Sequence, residues 1–189
     1  KLTQLNKEHL NILLKRRITE DTMIRNKIQS AQGDWYAFVY YEGETIVNMK
    51  YRSGKEKRFM QAPEAKPTMY KYNDIANSDK IIICEGEFDA LSWEEAGYRF
   101  ATSVNQGAPQ PNDTNVENKL ACIYNCFDVF ESAETIYLSV DNDPAGQRLQ
   151  KELIKMLTPE KIKIIDFSDL YAGGVQMKDA NDVLCNFGR

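Results

Sequence analysis

Two groups of acidic residues in this sequence sit where chemistry could be done. Glu85, Glu87 and Asp89 put three carboxylates within five residues, with no Lys or Arg among them. They follow the apolar run 81–84 directly. A carboxylate where a buried strand gives way to a helix stands where α/β folds bind ligands, outside the carboxyl ends of parallel strands. Asp141 and Asp143 stand two apart at the end of a second apolar run, 135–140. In an extended chain, side chains two apart project the same way. Crowded carboxylates repel one another unless a cation joins them. Hard divalent ions take oxygen ligands, and Mg²⁺ is commonly held by one or two carboxylates together with substrate phosphates. The plainer reading is that Asp143 caps a helix opened by Pro144, which accounts for Asp143 and leaves Asp141 unexplained. An EF-hand loop matches Asp141, Asp143, Gly146 and Glu152 by spacing. Ala145 in its fifth position and a strand in front of it reject that reading.

A second chemistry-bearing stretch is basic. Lys50, Arg52, Lys55, Lys57 and Arg58 put five cations within nine residues, beside Tyr51 and Phe59. Asn48, Lys50 and Arg52 alternate, so they share one face of a strand. A compact basic patch with aromatic neighbours suits a nucleic-acid backbone or nucleotide phosphates. On this stretch alone, a merely solvated hairpin explains the charges equally well. Other chemistries lack their residues. No G-x-x-x-x-G-K-[ST] loop is present, and no G-x-G-x-x-G follows a strand. The single histidine, His9, lies far off in the first helical segment, so a Ser–His or Cys–His nucleophile is a weak reading. The four cysteines, Cys84, Cys122, Cys126 and Cys185, form no C-x-x-C pair. A zinc site is therefore not expected, and reduced thiols are. Cys122 and Cys126, four apart in a helical pattern, read as buried apolar thiols.

The elements that must position these groups alternate. Residues 5–29 show helical spacing broken near 19–22. Two strands, 35–41 and 45–51, join across Glu42-Gly-Glu44 as a hairpin. Residues 61–80, with Pro63 and Pro67, read as a connection with a short helix around 74–76 and a subdomain boundary. Strand 81–84 leads to a helix beginning near Asp89. A strand at 100–104, a helix at 116–130, strand 135–140, a helix carrying Leu149, Leu153, Ile154 and Leu157, and strand 161–165 follow. Strands alternating with helices predict a parallel sheet covered on both sides.

With 189 residues, 42% of them hydrophobic, the chain can build one sizeable core and a small second lobe. Its net charge of −4 is uneven: residues 1–80 carry 15 Lys/Arg against 10 Asp/Glu, and residues 81–189 carry 9 against 18. A basic front and an acidic back suggest one part that meets an anion and one that holds cations. No run approaches a membrane span and no signal peptide is visible, so a cytoplasmic protein is expected. Because the chain opens on Lys1 rather than Met and ends at Arg189, it reads as a piece of a longer protein.

Glu85-Gly-Glu-Phe-Asp89 after one apolar strand and Asp141-Asn-Asp143 after another resemble the Toprim domain shared by primases, topoisomerases and some nucleases. Together with Lys178-Asp-Ala-Asn-Asp-Val-Leu184, they are similar to the primase half of bacteriophage primase–helicases and the Twinkle-like group. The stretch from Trp35 to Arg52 is similar to the small basic subdomain before Toprim in that group. The resemblance covers about 33–187 and implies a Rossmann-like parallel sheet at 79–189, preceded by a small α+β basic subdomain at 33–78. Residues 1–32 form a helical segment without a motif. It also implies roles. Glu85 matches the general base or acid, and can also serve as a metal ligand. Asp141 and Asp143 match the metal-binding pair, Asp179 a further metal-site acid, and Glu87 and Asp89 the rest of the cluster. Lys50, Arg52, Lys55, Lys57 and Arg58 fall where the family binds nucleotide phosphates or template. The implied function is Mg²⁺- or Mn²⁺-dependent synthesis of RNA primers from ribonucleoside triphosphates on single-stranded DNA. The zinc-binding domain and P-loop helicase of phage primases have no counterpart in this sequence. The alternatives are a non-catalytic single-strand-binding module of a replicative helicase, and a Toprim nuclease.

Overall fold

The computed structural model describes residues 1–188. Helices α1 (Lys7–Lys15) and α2 (Glu20–Arg25) each start at a polar side chain, Asn6 and Thr19, that accepts a backbone N–H of the first turn. An antiparallel sheet follows, in the order β1 (Gln29–Ser30), β2 (Trp35–Glu42), β3 (Thr45–Ser53) and β4 (Phe59–Gln61). The β2–β3 hairpin turns at Gly43, where φ is 60°, a conformation that suits glycine. After α3 (Tyr72–Ile75) the chain alternates: β5 (Lys80–Cys84), α4 (Glu87–Glu95) and β6 (Ala101–Ser103). Three short helices come next, α5 (Val116–Lys119), α6 (Ala121–Asn125) and α7 (Phe127–Ser132). They lead to β7 (Thr135–Ser139), α8 (Pro144–Met156) and β8 (Ile162–Ile164). A small hairpin of β9 (Tyr171–Ala172) and β10 (Val175–Gln176) precedes α9 (Ala180–Phe187). The second sheet has the order β6-β5-β7-β8, and every pair in it is parallel. The fold is therefore α/β, with a parallel helix-covered sheet behind an antiparallel one.

The period of β5 divides the interior into two cores. Ile81 and Ile83 face a core shared with Ile136, Leu138 and the helices α5 to α8. Ile82 and Cys84 face the opposite way, into a core with Tyr36, Phe38, Tyr40, Tyr70 and Leu91. Leu13, Ile18, Met23 and Ile28 of the first two helices belong to that second core. Packing is thus continuous across both expected boundaries, at 32/33 and 78/79. The antiparallel sheet and α4 together cover one face of the parallel sheet.

Several elements differ from the sequence expectation. The helix expected over 116–130 is three pieces, because the backbone opens at Leu120 (ψ 17°) and Cys126 (ψ 16°). Tighter i→i+3 bonds there, Ile123 N–H to Leu120 and Val129 N–H to Cys126, rotate the pieces so that α6 and α7 bury apolar side chains while α5 only rests Val116 against the core. Helix α4 begins at Glu87, two residues early. Its first turn carries Glu87 and Asp89, which suit the positive end of a helix dipole and give no apolar signal. β4 and the β9–β10 hairpin lie in stretches too short or too polar to show a strand period. Among the described residues, no helix is long and apolar enough to cross a membrane.

Candidate active site

Both acid-bearing turns fall at the carboxyl ends of neighbouring parallel strands. β5 and β7 pair in register, Cys84 against Ser139, so Glu85 and Asp141 leave the sheet on the same edge. Behind Asp141 the chain doubles back into α8. Asp143 caps that helix, accepting the N–H groups of Ala145 and Gly146 at 2.9 Å each. Gly146 is required there, because a Cβ would lie 2.0 Å from the Asp141 carbonyl oxygen. α9 arrives from the other side with Asp179 as its cap, accepting the Asp182 N–H at 2.8 Å. The same first turn donates the Asn181 N–H to Asp89 at 3.2 Å.

These three turns bring carboxylate oxygens of Asp89, Asp141 and Asp179 within 4.8 Å of one another. Asp89 and Asp141 are buried and Asp179 is partly so. Burial raises the pKa of all three; the other acids of the cluster add to it at Asp89 and Asp179, while at Asp141 Lys178 opposes the rise and Asp143 adds to it. Glu85 is half-buried beside them. Desolvation, followed by the charges of Asp141 and Asp143, pushes it up to about 7, against the opposing pull of Lys178 and the Ala108 amide. Its Oε2 is shielded from solvent without a hydrogen-bond partner among the described residues. Among the described residues, Lys178 is the basic side chain within ion-pair distance of this group, at 2.7 Å from Asp141 and 3.0 Å from Asp143. Asp143 goes the other way from its neighbours. Burial raises it, but the Gly146 amide and Lys178 outweigh that and hold it below the usual range.

Of the sequence-predicted acids, Glu87 is set apart. Its carboxylate turns to the hairpin, where it accepts the Tyr40 hydroxyl and pairs with Lys50 at 2.8 Å. The face of β3 bearing Asn48, Lys50 and Arg52 is accordingly turned inward against α4, which removes the solvated-hairpin reading for those residues. Lys50 is buried and committed to Glu87. Arg52 is stacked between rings, 5.1 Å from the Phe59 centroid and 4.8 Å from Phe88, with no carboxylate within 4.0 Å among the described residues. Burial and the nearby Arg16 guanidinium lower its pKa. Lys57 is exposed and likewise unpaired. Lys55 and Arg58 do not reach the acids: Lys55 is exposed, and Arg58 pairs with Glu56 and lies over Trp35.

A cleft of about 530 Å³ separates the two charged walls. Glu85, Asp89, Asp141 and Asp179 line one side, and Arg52, Lys57 and Phe59 the other. One further residue, Arg16, lines it from outside the stretches that the sequence singled out. Arg16, from the segment without a motif, lies 4.2 Å over Phe88 and donates to Asn181 Oδ1 at 2.9 Å. Asn181 in turn donates to the Arg16 carbonyl and to Ser92 Oγ, at 2.9 Å each, tying α1, α4 and α9 together. The Lys15-Arg16-Arg17 run held the signal for Arg16, but a solvated helix face gives the same run.

The donor set fits a divalent cation. Three clustered carboxylates, two of them buried and without any basic side chain in ion-pair reach of Asp89 or Asp179 among the described residues, are the oxygen-rich ligands that hard ions take.

Comparisons with known proteins bear on the family and the fold. Residues 79–166 match the Toprim domain family. The chain is 32% identical over 198 residues to the primase homolog protein of Arabidopsis thaliana, covering 100% of this chain and 58% of that protein. It is 32% identical over 183 residues to the chloroplastic/mitochondrial Twinkle homolog protein of Arabidopsis thaliana, covering 92% and 25%. The chain thus spans little more than half of one curated relative and a quarter of the other. The crystal structure of the primase fragment of the bacteriophage T7 primase–helicase superposes with a TM-score of 0.73 at 25% identity, over 93% of this chain and 69% of that one.

Proposed function

Because the chain belongs with the Toprim-containing proteins of the phage-type primase and Twinkle-like group, we propose that it is the catalytic core of a DNA primase. It joins ribonucleoside triphosphates into RNA primers on a single-stranded DNA template during replication. The observation that carries this reading is the state of Glu85. Glu85 stands beside the Asp89–Asp141–Asp179 cluster, raised by burial and by the charges of Asp141 and Asp143, with one carboxylate oxygen unpartnered among the described residues. It can accept a proton from an attacking hydroxyl and release it again. A module that merely holds single strands gains nothing from such a group, and bears the repulsion of the acids around it.

Each wall of the cleft then has a task. Asp89, Asp141 and Asp179, with Asp143 beside them, would hold Mg²⁺ or Mn²⁺. The ion would neutralise the triphosphate and the departing pyrophosphate. Arg52, Lys57 and Arg16 face those acids with no carboxylate partner among the described residues, and would meet phosphates of the nucleotide or template. Lys50 and Glu87, being paired, lock the hairpin to the start of α4 and so set the width of the cleft.

One observation favours a second reading, a single-strand-binding module of a replicative helicase. The identity to the Twinkle homolog, 32%, equals that to the primase homolog. The deciding assay extends a dinucleotide with ribonucleotides on a single-stranded template, in Mg²⁺ or Mn²⁺, comparing the parent with Asp141→Asn. Extension by the parent and its loss in the variant support the primase. Template binding by both with extension by neither supports the module. Metal-dependent template cutting without synthesis supports a Toprim nuclease.

A further inference from the structure

Asp141 stands between two differently furnished sides of the site. Toward Asp89 and Asp179 its carboxylate meets two other acids, with oxygens within 4.8 Å and no basic side chain in ion-pair contact with either partner among the described residues. Toward Asp143 it meets the Lys178 ammonium, which bridges the two at 2.7 and 3.0 Å. An ammonium at that spacing from two carboxylates takes the lone pairs that a hard cation would use. The backbone of Lys178 is fixed on both sides. Its N–H donates to Asp182 Oδ2 at 3.0 Å, and its carbonyl accepts the Asn142 N–H at 2.7 Å. Its side chain is 45% exposed and lines the cleft. The ammonium can therefore leave the carboxylates by side-chain rotation, without moving α9 or the turn after β7.

We propose that Lys178 is a built-in counter-ion that gates a second divalent-cation position between Asp141 and Asp143. The first position, among Asp89, Asp141 and Asp179, fills without displacing it. The second fills when Lys178 swings out, and the released ammonium then faces the same cleft as Arg52 and Lys57, where phosphates lie. This exchange keeps Asp141 and Asp143 neutralised before the second ion arrives, and adds a phosphate contact once it has. The inference rests on the metal-binding reading above, and goes beyond it in assigning Lys178 a competing role.

The test is calorimetric titration with Mg²⁺ at fixed ionic strength, with Mn²⁺ resonance as an independent count of bound ions. The parent is expected to bind in a tighter and a weaker step. Lys178→Met should tighten the weaker step by roughly tenfold or more, because a competing unit charge about 3 Å from both ligands is gone. It should leave the tighter step nearly unchanged. Asp143→Asn should remove the weaker step, and adding Lys178→Met to it should restore nothing. Lys178→Arg, which keeps the charge on a fork able to grip two carboxylates, should hold the weaker step at or below the parent's affinity. It also serves if Lys178→Met does not fold without metal. An unchanged or weakened second step in Lys178→Met, or a tightened one in Lys178→Arg, overturns the gate. Equal failure of parent and Asp141→Asn to bind any ion overturns the metal-site reading as well. Binding in the parent that ignores Lys178 overturns this inference alone.

Discussion

Helix α4 carries a buried charge cluster at each end, and the two are built on opposite rules. At its carboxyl end, Glu94 meets Arg25 and, at 2.6 Å, Lys71, and both cations also pair with Asp74. Two cations balance two acids, and Asn26 donates to Glu94 at 3.0 Å. Burial works against the Glu94 charge, but Arg25 and Lys71 override it and hold its pKa at about 2. At the amino end, Asp89 joins Glu85, Asp141, Asp143 and Asp179 around a single lysine, and Glu85 rises to about 7. The same residue type, glutamate, is driven in opposite directions some nine residues apart. A closed network like the first fixes α2, α3 and α4 to one another. An open one like the second is left wanting cations, which is what the proposed metal-binding and proton-transfer role requires and a cluster that only holds the fold does not.

The largest separation between the two ends should come from removing one proton acceptor. Glu85→Gln keeps the shape and deletes the titration. Ribonucleotide incorporation should fall ~10²–10⁴-fold, the usual contribution of positioned proton transfer, while single-strand affinity stays at the parent's value. Equal loss of binding would mean that Glu85 acts through the fold, and the contrast with Glu94 would collapse.

The reverse substitution tests the closed end. Glu94→Gln leaves Lys71, whose side chain is 2% exposed, without its nearest carboxylate. Breaking a buried pair by removing one partner typically costs ~3–5 kcal/mol. Denaturant unfolding should show a loss of that order, with the Mg²⁺ response retained. A loss below ~1 kcal/mol would place the network in the class of screened surface pairs.

How much of this contrast could be read in the sequence follows from which signals are local. The runs 81–84 and 135–140 announce buried strands by composition, and the acids behind them fall at strand ends by adjacency. The parallel sheet and the Glu85–Asp141 edge were legible for that reason. Asp89 and Asp179 could be recognised as acids, but their meeting with Asp141 depends on α9 docking against α4, a contact between segments about ninety residues apart. Glu87 carries the same local signal as Glu85, yet one residue of helix start turns it toward Lys50. The Arg25–Lys71–Asp74–Glu94 network left no trace, since its members are single charges scattered over three helices and a loop. Arg16 was hidden by its neighbours, because a run of three cations looks the same whether one or none of them faces a cleft.

Acid–base titration of stability separates the clusters by sign. Glu94, lowered from 4.5 to about 2, contributes stability that is full above 4.5 and lost as pH falls through 2. Glu85, raised from 4.5 to about 7, contributes stability that is full below 4.5 and lost as pH rises through 7. Each window spans on the order of 3 kcal/mol, from a shift of about 2.5 units at 1.36 kcal/mol each. Burial raises Asp89, Asp141 and Asp179 as well, so they reinforce the upper loss. Metal-free protein should therefore be most stable near pH 4.5. Melts across pH should show the upper decline shrink in Glu85→Gln and the lower one in Glu94→Gln. Mg²⁺ should also relieve the upper decline, because it favours the ionised acids. A metal-free optimum above pH 7 would contradict the open character of the amino-end cluster.

The smallest expected effect concerns the cations rather than the acids, and it extends the contrast across the cleft. Arg25 and Lys71 are saturated by carboxylates, whereas Arg52 rests on the rings of Phe59 and Phe88 and Lys57 has no ion-pair partner among the described residues. A cation already paired in the protein gives up that pair when it meets a phosphate, so its net gain is small. An unpaired one releases a counterion from the strand for each contact, and log K falls with log[salt] by ~0.7 per phosphate on single strands. Lys57→Ala and Arg52→Ala should each flatten the salt slope of single-strand binding by about that amount, nearly independently of base sequence. Lys66→Ala is the control, because Lys66 is also on the surface but pairs with Glu42 at 2.6 Å. Arg58→Ala, whose guanidinium is held by Glu56 outside the cleft, should resemble the control. Should Lys66 or Arg58 change the slope as much as Lys57, strand binding would track total surface charge. The facing walls of the cleft would then lose their claim to be the place where acid-held metal and free cations meet a phosphate.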